Sequence, residues 1–435
     1  MFAYYFRLAL HSLRRNPALT GVMVAAVALG IGASMTVYTV YSALAGDPIP
    51  AKSSQLYVPL IDNWGPDSRH GSDELQQRAL SYRDAMALLR SAPAEQQTAV
   101  YETSLSVKPD NSDVAPFNAS AIATFSSFFS MFDVPFQYGG AWRRADDRDR
   151  ANLVVISKQL NDKLFGRVNS VGRRINLSGT DYRVVGVMRQ WQPHPQFYNL
   201  NGNAFGETPQ VFLPFNAAFD RRLGGDWISC KAAPPQGWEI FSNSECVWVQ
   251  VWADLPTAAA VAGYQIFLNH YAADQRRSGR FDWPPLTRLF SLRGWLAFNH
   301  VVPPVASILL LVAFGFLAVC LVNVIGLMLA KFISRAAEIG LRRALGASRA
   351  QVFAQRLIES AVIGLAGGVI GLGLTALGLA AMRAMFSAEV QRIAHLDTRV
   401  VLVTLLVAIG STVLAGLYPT WRTARIAPAW QLKSN

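Results

Sequence analysis

The residue types that carry out catalysis occur along the whole sequence, but their spacing matches no catalytic motif. The phosphate-binding loop of ATPases, G-x-x-x-x-G-K followed by Ser or Thr, is absent, so no ATP site of that kind is predicted in this chain. The zinc motif H-E-x-x-H is also absent, and the six histidines are dispersed, which argues against a metal site. We therefore predict a non-catalytic chain that itself holds no metal or cofactor.

One charged segment, residues 334–349, has a pattern that could act on a partner. Glu338 and Arg342 stand four residues apart and can pair on a short helix, and Gly346 suits the C-terminus of that helix. The residues that can line one side of the helix are Ile339, Leu341, Ala344 and Leu345. Two interpretations remain open on composition: an interfacial helix whose arginines meet anionic lipid, or a rigid lever presented to a cytoplasmic partner.

Four long apolar stretches must position that segment. The chain is 51% hydrophobic and only 16% charged, whereas soluble proteins carry about 25% charged residues. A bilayer crossing needs about 20 mostly apolar residues. We therefore predict that the chain crosses a lipid bilayer four times. The predicted transmembrane helices are residues 17–45, 303–330, 357–383 and 400–421.

The distribution of Lys and Arg predicts the side on which each connection lies. Basic residues are concentrated in residues 1–16, 331–356 and 422–435, and the loop 384–399 is far less basic. By the positive-inside rule, both termini and the 331–356 loop are cytoplasmic, in the inner membrane of a bacterium. Residues 1–16 are predicted to form an amphipathic helix on that face. The net charge of +12 therefore reflects topology, and no basic soluble face indicates nucleic-acid binding.

Residues 46–298, between the first two spans, are polar and long enough for a folded domain. Strand-like and helix-like segments alternate along them, which favours an α+β or α/β arrangement over an all-β sandwich. The predicted fold class is therefore a membrane protein of α+β type. It has four transmembrane α-helices, with a large mixed α/β periplasmic domain inserted between the first and the second.

Two cysteines of that domain, Cys230 and Cys246, bracket a Pro-rich loop that contains a tryptophan. The compartment outside the cytoplasmic membrane is oxidising, so we predict a disulfide between them. The alternative is a pair of unpaired thiols.

The third span is rich in glycine. Gly364 and Gly368, and likewise Gly367 and Gly371, are separated by four residues and can bring helices close together. The alternative is the ordinary enrichment of glycine in membrane helices. Asn323, a polar residue within the second span, is predicted to form a hydrogen bond with another helix.

Three separated parts of the chain resemble the MacB and FtsX families of ABC transporter permeases. The similar segments are Glu338–Ser348, Gln355–Ser360 and Gly364–Gly373 in the permease part, Gly416–Ala429 at the C-terminus, and Val154–Ser157, Leu164–Gly166, Val171–Ile175 and Tyr182–Val187 in the MacB-type periplasmic core domain. The resemblance covers most of the chain, but residues 190–247 depart from it. What those residues do is therefore not predicted.

The resemblance implies a transporter in which two permease protomers, identical or related, sit on a dimer of cytoplasmic ABC ATPase subunits that bind ATP and Mg. Cytoplasmic coupling helices would relay ATPase closure to the periplasmic domains, which would perform export without passage through the lipid-embedded helices. A periplasmic adaptor and an outer-membrane channel are further partners of such systems. The coupling residues implied in this sequence are Glu338, Ile339, Gly340, Leu341, Arg342, Arg343, Leu345, Gly346 and Ala347.

Other functions fit the same pattern of spans. Within the same fold, the chain could be a lipoprotein-release permease or a regulator of cell-wall hydrolases. A signalling receptor belongs to a different class. A sensor kinase would need a cytoplasmic catalytic domain, and the longest cytoplasmic stretch predicted here is a short loop.

Overall fold

A computed structural model describes residues 15–70, 74–109, 115–200, 204–334, 346, 348–385 and 398–424. The chain divides into two compact units. One is Gly46–Val301, and the other joins Met1–Ala45 to Val302–Asn435.

The helices and strands are numbered in chain order. The helices are α1 (Pro17–Leu44), α2 (Tyr82–Ser91), α3 (Ser127–Met131), α4 (Arg144–Arg148), α5 (Lys158–Phe165), α6 (Phe215–Asp220), α7 (Trp238–Ser242), α8 (Ala258–Arg277), α9 (Leu292–Phe298), α10 (Pro304–Ile333), α11 (Arg349–Met385) and α12 (Thr398–Ala424). The strands are β1 (Leu56–Ile61), β2 (Arg69–His70), β3 (Glu74–Leu75), β4 (Leu80–Ser81), β5 (Gln96–Lys108), β6 (Phe117–Thr124), β7 (Phe136–Gly139), β8 (Leu153–Ile156), β9 (Arg174–Leu177), β10 (Thr180–Met188), β11 (Val211–Pro214), β12 (Val247–Asp254) and β13 (Thr287–Ser291).

In the described part of the chain, four helices are long and apolar enough to cross a bilayer: α1, α10, α11 and α12. Proline stands at the start of α1 and of α10, where a missing backbone N–H costs little. In the bundle, α1 packs against α10 and α11, and α12 packs against α10 and α11. Their mutual core includes Met23, Ile31, Val324, Ile363 and Ala408.

Helix α11 begins at Arg349, earlier than the predicted start at residue 357. Ser348 caps it: Gln351 N–H donates to Ser348 Oγ over 3.2 Å, and Ser348 N–H donates to Gln351 Oε1 over 2.9 Å. This reciprocal pair is a capping box, which satisfies two N–H groups that would otherwise lack partners. The connection between α10 and α11 is therefore shorter than the predicted loop 331–356.

The unit Gly46–Val301 is built on an eleven-stranded mixed sheet with the order β13-β1-β12-β5-β6-β11-β8-β10-β7, to which β4 adds on β12 and β9 on β10 and β5. Strands β5 and β6 pair antiparallel over a long register, from Val100 opposite Thr124 to Val107 opposite Phe117. Strand β6 is parallel to β11, and β8 is parallel to β10.

Both faces of this sheet are buried. In β8, Val154 and Ile156 belong to one core, and Leu153 and Val155 belong to the other, because successive side chains point to opposite faces. Helices α2 and α8 cover the first core, and α3 and α9 cover the second. The predicted fold class, four spanning helices with a mixed α/β domain inserted after the first, is confirmed.

Candidate functional site

The connection between α10 and α11 contains the segment predicted to couple to a partner. Of the predicted coupling residues, Glu338, Ile339, Gly340, Leu341, Arg342, Arg343, Leu345 and Ala347 lie outside the described residues. Gly346 is exposed and has a φ of +101°, a left-handed conformation that glycine adopts without strain. It lies two residues before the Ser348 cap, so the chain turns sharply as it enters α11.

Three charged side chains are buried where α10 ends and α11 begins. Lys331 Nζ lies 2.6 Å from Glu359 Oε1, and Arg356 Nη1 lies 2.8 Å from Glu359 Oε2. The exposed fractions of the side chains of Lys331, Arg356 and Glu359 are 0%, 6% and 1%. We call these three residues the ion cluster. It joins the two helices that flank the predicted coupling segment.

Aromatic and small residues surround the ion cluster. The guanidinium carbon of Arg356 lies 4.8 Å from the ring centroid of Phe332, a cation–π distance. One turn beyond Arg356 on α11, Ser360 Oγ donates to the Arg356 carbonyl and lies 3.8 Å from Met328 Sδ on α10. A Cβ added at Gly416 of α12 would overlap Ser360 Oγ. Three helices therefore meet closely beside the cluster.

The pattern of charges alone did not reveal this cluster. Lys331 and Arg356 belong to the basic segment 331–356 that is predicted to be cytoplasmic, and Glu359 stands at the edge of an apolar run. The sequence feature that could have indicated the cluster is Glu359, an acid three residues after Arg356 at the edge of a span. An ionisable residue inside a span is expected to be paired. The pairing with Lys331, which lies on another helix, required the tertiary structure.

Four glycines of α11 form two pairs, and each pair contacts a different helix. A Cβ at Gly367 or Gly371 would meet Val27 at 2.6 Å or Ile31 at 2.9 Å, both on α1. A Cβ at Gly364 or Gly368 would instead meet α12, at Thr412 Oγ1 or, over 2.9 Å, at Ala408 Cβ. Residues four apart share a helix face, so the two pairs bring α1 and α12 close to adjacent faces of α11.

The structure does not support the predicted packing role of Asn323 within this chain. Its side chain is exposed on α10, and it makes no hydrogen bond to any described residue. Helix α10 turns Leu317, Val324 and Met328 toward the bundle core. Asn323 is rotated by about 100° from Val324, which places it on the outward face.

Cys230 and Cys246 are joined by a disulfide that closes a loop of sequence separation 16. Next to it, Glu245 and Asp84 share the guanidinium of Arg280, with N–O distances of 2.6 to 2.9 Å. Burial opposes the charge of Arg280, but the hydrogen bonds that it donates to the carboxylates of Glu245 and Asp84 outweigh that cost and raise its pKa. The end of the disulfide loop is thereby attached to α2 and to the residues that follow α8.

Among the described residues, no group of His, Cys, Asp or Glu side chains could hold a metal ion. Buried ion pairs hold the end of α10 against α11, and close contacts at glycine hold α11 against α1 and α12.

Two protein-family patterns match this chain, one over residues 20–262 and one over residues 310–428. The pattern of the MacB-like periplasmic core domain matches residues 20–262, and that of the FtsX-like permease C-terminal domain matches residues 310–428. The macrolide export ATP-binding/permease protein MacB of Salmonella typhi is 26% identical over 312 residues, 71% of this chain and 43% of the relative. MacB of Escherichia coli K12 is 26% identical over 375 residues, 85% of this chain and 52% of the relative. The chain thus spans about half the length of these relatives.

Solved structures of periplasmic or extracellular domains are also similar to this chain. The periplasmic region of MacB from Actinobacillus actinomycetemcomitans aligns with a TM-score of 0.36 and 13% identity, covering 56% of this chain and 92% of that one. The extracellular domain of the ABC-type transporter YknZ from Gram-positive bacteria aligns with a TM-score of 0.35 and 11% identity, covering 54% and 99%.

Proposed function

Because the chain belongs to the family of MacB-like and FtsX-like ABC transporter permeases, we propose that it couples ATP hydrolysis to a conformational change of its periplasmic domain, and that this change drives export. The ATPase is a partner that lies outside this sequence, which has no phosphate-binding loop. ATP and Mg are bound there.

The proposed arrangement places the chain in the inner membrane with both termini in the cytoplasm. The excess of Lys and Arg in residues 1–16, 331–356 and 422–435 supports this orientation. The unit Gly46–Val301 then lies in the periplasm. The cytoplasmic partners are two ATPase subunits, and a second permease protomer, identical or related, completes the transporter. A periplasmic adaptor and an outer-membrane channel can extend it.

The ion cluster is the single observation that carries the mechanical part of this proposal. A force applied to the segment between α10 and α11 reaches the bundle only if the adjoining helix ends move with it. Lys331 on α10 and Glu359 on α11 are paired at 2.6 Å with both side chains buried. Losing one partner of such a buried pair costs about 3–5 kcal/mol, so the two ends resist separation.

The predicted coupling residues complete this relay. Glu338–Ala347 would form the element that contacts the ATPase, with Arg342 and Arg343 as its charged contacts. A relay of this kind must have different contacts in its two states, because a ligand shifts an equilibrium only by its differential affinity. ATP-driven closure of the ATPase dimer supplies that difference in this proposal.

An FtsX-like regulatory role is the second candidate, supported by the match of residues 310–428 to the FtsX-like permease C-terminal domain. In that role the same relay would act on a periplasmic enzyme, such as a cell-wall hydrolase, and nothing would be exported. A lipoprotein-release permease is the other alternative with this fold. All three roles share the relay and differ in what the periplasmic domain acts upon.

The relay can be tested with the full chain reconstituted in nanodiscs with the ATPase that co-purifies with it. A spin label at exposed Arg148, introduced as Arg148→Cys, reports the distance between the two periplasmic domains of a permease dimer. We expect ATP and Mg to change that distance by several ångströms. A matched sample contains an ATPase variant that lacks the catalytic carboxylate and is measured after ADP addition, where no change is expected.

An unchanged distance distribution with active ATPase would contradict the relay. Experiments in cells can distinguish the exporter from the FtsX-like regulator. Deletion of the gene should sensitise cells to exported compounds if the chain is an exporter. Altered cell-wall cleavage with normal compound tolerance would favour the FtsX-like role.

A further inference from the structure

A cavity of about 350 Å³ opens on the surface of the unit Gly46–Val301, and neither cysteine of the disulfide lines it. Its basic lining residues are Lys108, Arg173 and Arg174, and its apolar lining residues are Pro109, Leu164, Phe165 and Ile175. We call it the basic cavity. Its lining combines a cationic rim with an apolar floor.

Three elements bring these residues together from distant parts of the sequence. Strand β9 pairs with the end of β5, with Lys108 opposite Asn176, so Lys108 lies beside β9. Helix α5 ends at Phe165, and the turn that follows returns to β9, with Arg173 N–H donating to the Ser170 carbonyl over 3.0 Å. Ile175 is 3% exposed and anchors the floor in the core of the sheet.

The three cations of the rim have no carboxylate within ion-pair distance among the described residues. Nearby cations do: Lys158 Nζ lies 2.6 Å and Arg167 Nε lies 4.0 Å from the carboxylate of Asp162. Arg173 instead lies over the ring of Phe165, at 5.5 Å from its centroid. The rim therefore keeps a concentrated positive charge that the neighbouring acid does not neutralise.

The backbone of α5 contributes a partial negative charge near the three cations. The carbonyl end of α5 points to this region, and a helix C-terminus carries a partial charge of about −0.5. The three full positive charges of the rim exceed it severalfold, so the charges of the described residues around the basic cavity attract anions.

The size and the lining define the ligand. Sites for small molecules have volumes of about 300–1,000 Å³, so this cavity suits a compact molecule. Arginine side chains bind planar carboxylates and phosphates through paired N–H groups. The apolar floor offers no hydrogen bonds and favours a hydrocarbon or aromatic body.

We propose that the basic cavity is a binding site for a small amphipathic anion, with its carboxylate, sulfate or phosphate on Arg173, Arg174 and Lys108 and its apolar body against Leu164, Phe165 and Ile175. This site is independent of the relay proposed above. It assigns the periplasmic domain a direct interaction with a soluble compound.

Equilibrium dialysis of the full chain in zwitterionic nanodiscs tests the proposal, with 2-naphthoate as the anionic probe and 2-naphthamide as its neutral analogue. Empty nanodiscs give the background. We expect saturable binding of 2-naphthoate that weakens as salt is added, because exposed charges are screened over about 10 Å at 0.1 M salt. Binding of 2-naphthamide should be weaker by about tenfold or more, since loss of one charged hydrogen bond costs that much.

The variant Arg173→Gln with Arg174→Gln should weaken 2-naphthoate binding by about tenfold or more. The matched control is Arg144→Gln with Arg148→Gln, which removes the same charge from exposed positions on α4 of the same domain. The control should bind as the unmodified chain does, and both variants should unfold at the same temperature. Absence of saturable binding to the unmodified chain, equal binding of the amide, or equal loss in both double variants would overturn the proposal.

Discussion

Lys331 and Glu359 form a buried ion pair, with 2.6 Å between Nζ and Oε1, that joins the last turn of α10 to the third turn of α11. Arg356 holds the other oxygen of the same carboxylate at 2.8 Å. The segment between these two helices contains the predicted coupling residues. The pair therefore stands between the proposed site of force input and the rest of the bundle.

Replacing Glu359 with Gln should destabilise the bundle, because Lys331 and Arg356 would stay buried without a counter-charge. The expected cost is about 3–5 kcal/mol for loss of one partner of a buried pair. The midpoint of thermal unfolding in detergent should fall, and ATPase stimulation by the permease should fall with it. Scanning fluorimetry and a coupled ATPase assay measure the two effects.

The control for Glu359→Gln replaces all three members of the ion cluster with Met. Substituting a buried ionic group by apolar side chains of similar size is often neutral or stabilising, so this variant should regain most of the stability. If Glu359→Gln unfolds at the same temperature as the unmodified chain, the cluster does not hold the helix ends together.

Replacing Gly367 with Ala should separate α11 from α1. The new Cβ would lie 2.6 Å from Val27 Cγ1, closer than real Cβ contacts allow, so the helices must shift. Overpacking of this kind costs about 1–3 kcal/mol. The matched control is Gly373→Ala on the same helix, whose Cβ would meet nothing within 4 Å. Equal unfolding midpoints for the two variants would contradict the assigned contact.

Reversing the charges of Arg342 and Arg343 together, by Arg342→Glu and Arg343→Glu, should abolish transport and lower the stimulated ATPase rate. These residues are the proposed charged contacts with the ATPase, so the folded permease should remain while the contact is lost. Reconstituted liposomes report both activities. Arg425→Glu with Lys433→Glu changes the same charge in the C-terminal tail and should leave coupling intact. Normal coupling in the Arg342 and Arg343 variant would reject the assignment.

The ionised carboxylate of Glu102 should lower the free energy of unfolding at neutral pH, and acidification should relieve this destabilisation. Burial raises its pKa, Asp226 adds to that rise, and the 2.7 Å hydrogen bond from Asn199 Nδ2 opposes it. The unfolded chain has a pKa of about 4.3 at this residue, so the folded chain binds the proton more tightly. Protonation of Glu102 therefore stabilises the folded chain. This stabilisation is present below a pH of about 4.3 and is lost as the pH rises from there through the pKa of Glu102 in the folded chain.

Glu102→Gln removes that destabilisation, so this variant should unfold at a higher temperature than the unmodified chain at pH 7.5. The difference should shrink toward pH 4. Exposed Glu239, changed to Gln, serves as the matched control and should shift the midpoint little at either pH. A midpoint for Glu102→Gln that is lower at pH 7.5 would show that the ionised carboxylate stabilises the domain.

The broad fold followed from local patterns. Uninterrupted apolar runs mark spans regardless of what they later contact, so the four helices and the inserted mixed domain were predicted. The boundaries were less certain where charge was present. The third span was predicted to begin after Arg356, yet α11 begins earlier, at Arg349, where Ser348 and Gln351 form a capping box.

The sequence by itself determined which segments cross the bilayer, the class of the inserted domain and the resemblance to ABC permeases. These depend on composition and order along the chain, since burial of an apolar run or a repeated family pattern needs no knowledge of neighbours in space. Only the tertiary structure decided that Lys331 pairs with Glu359, that the glycines of α11 serve two different helices, that Asn323 faces outward and that Lys108 meets Arg173 and Arg174. Those relations depend on distances of a few ångströms between residues far apart in the chain, and packing alone sets such distances.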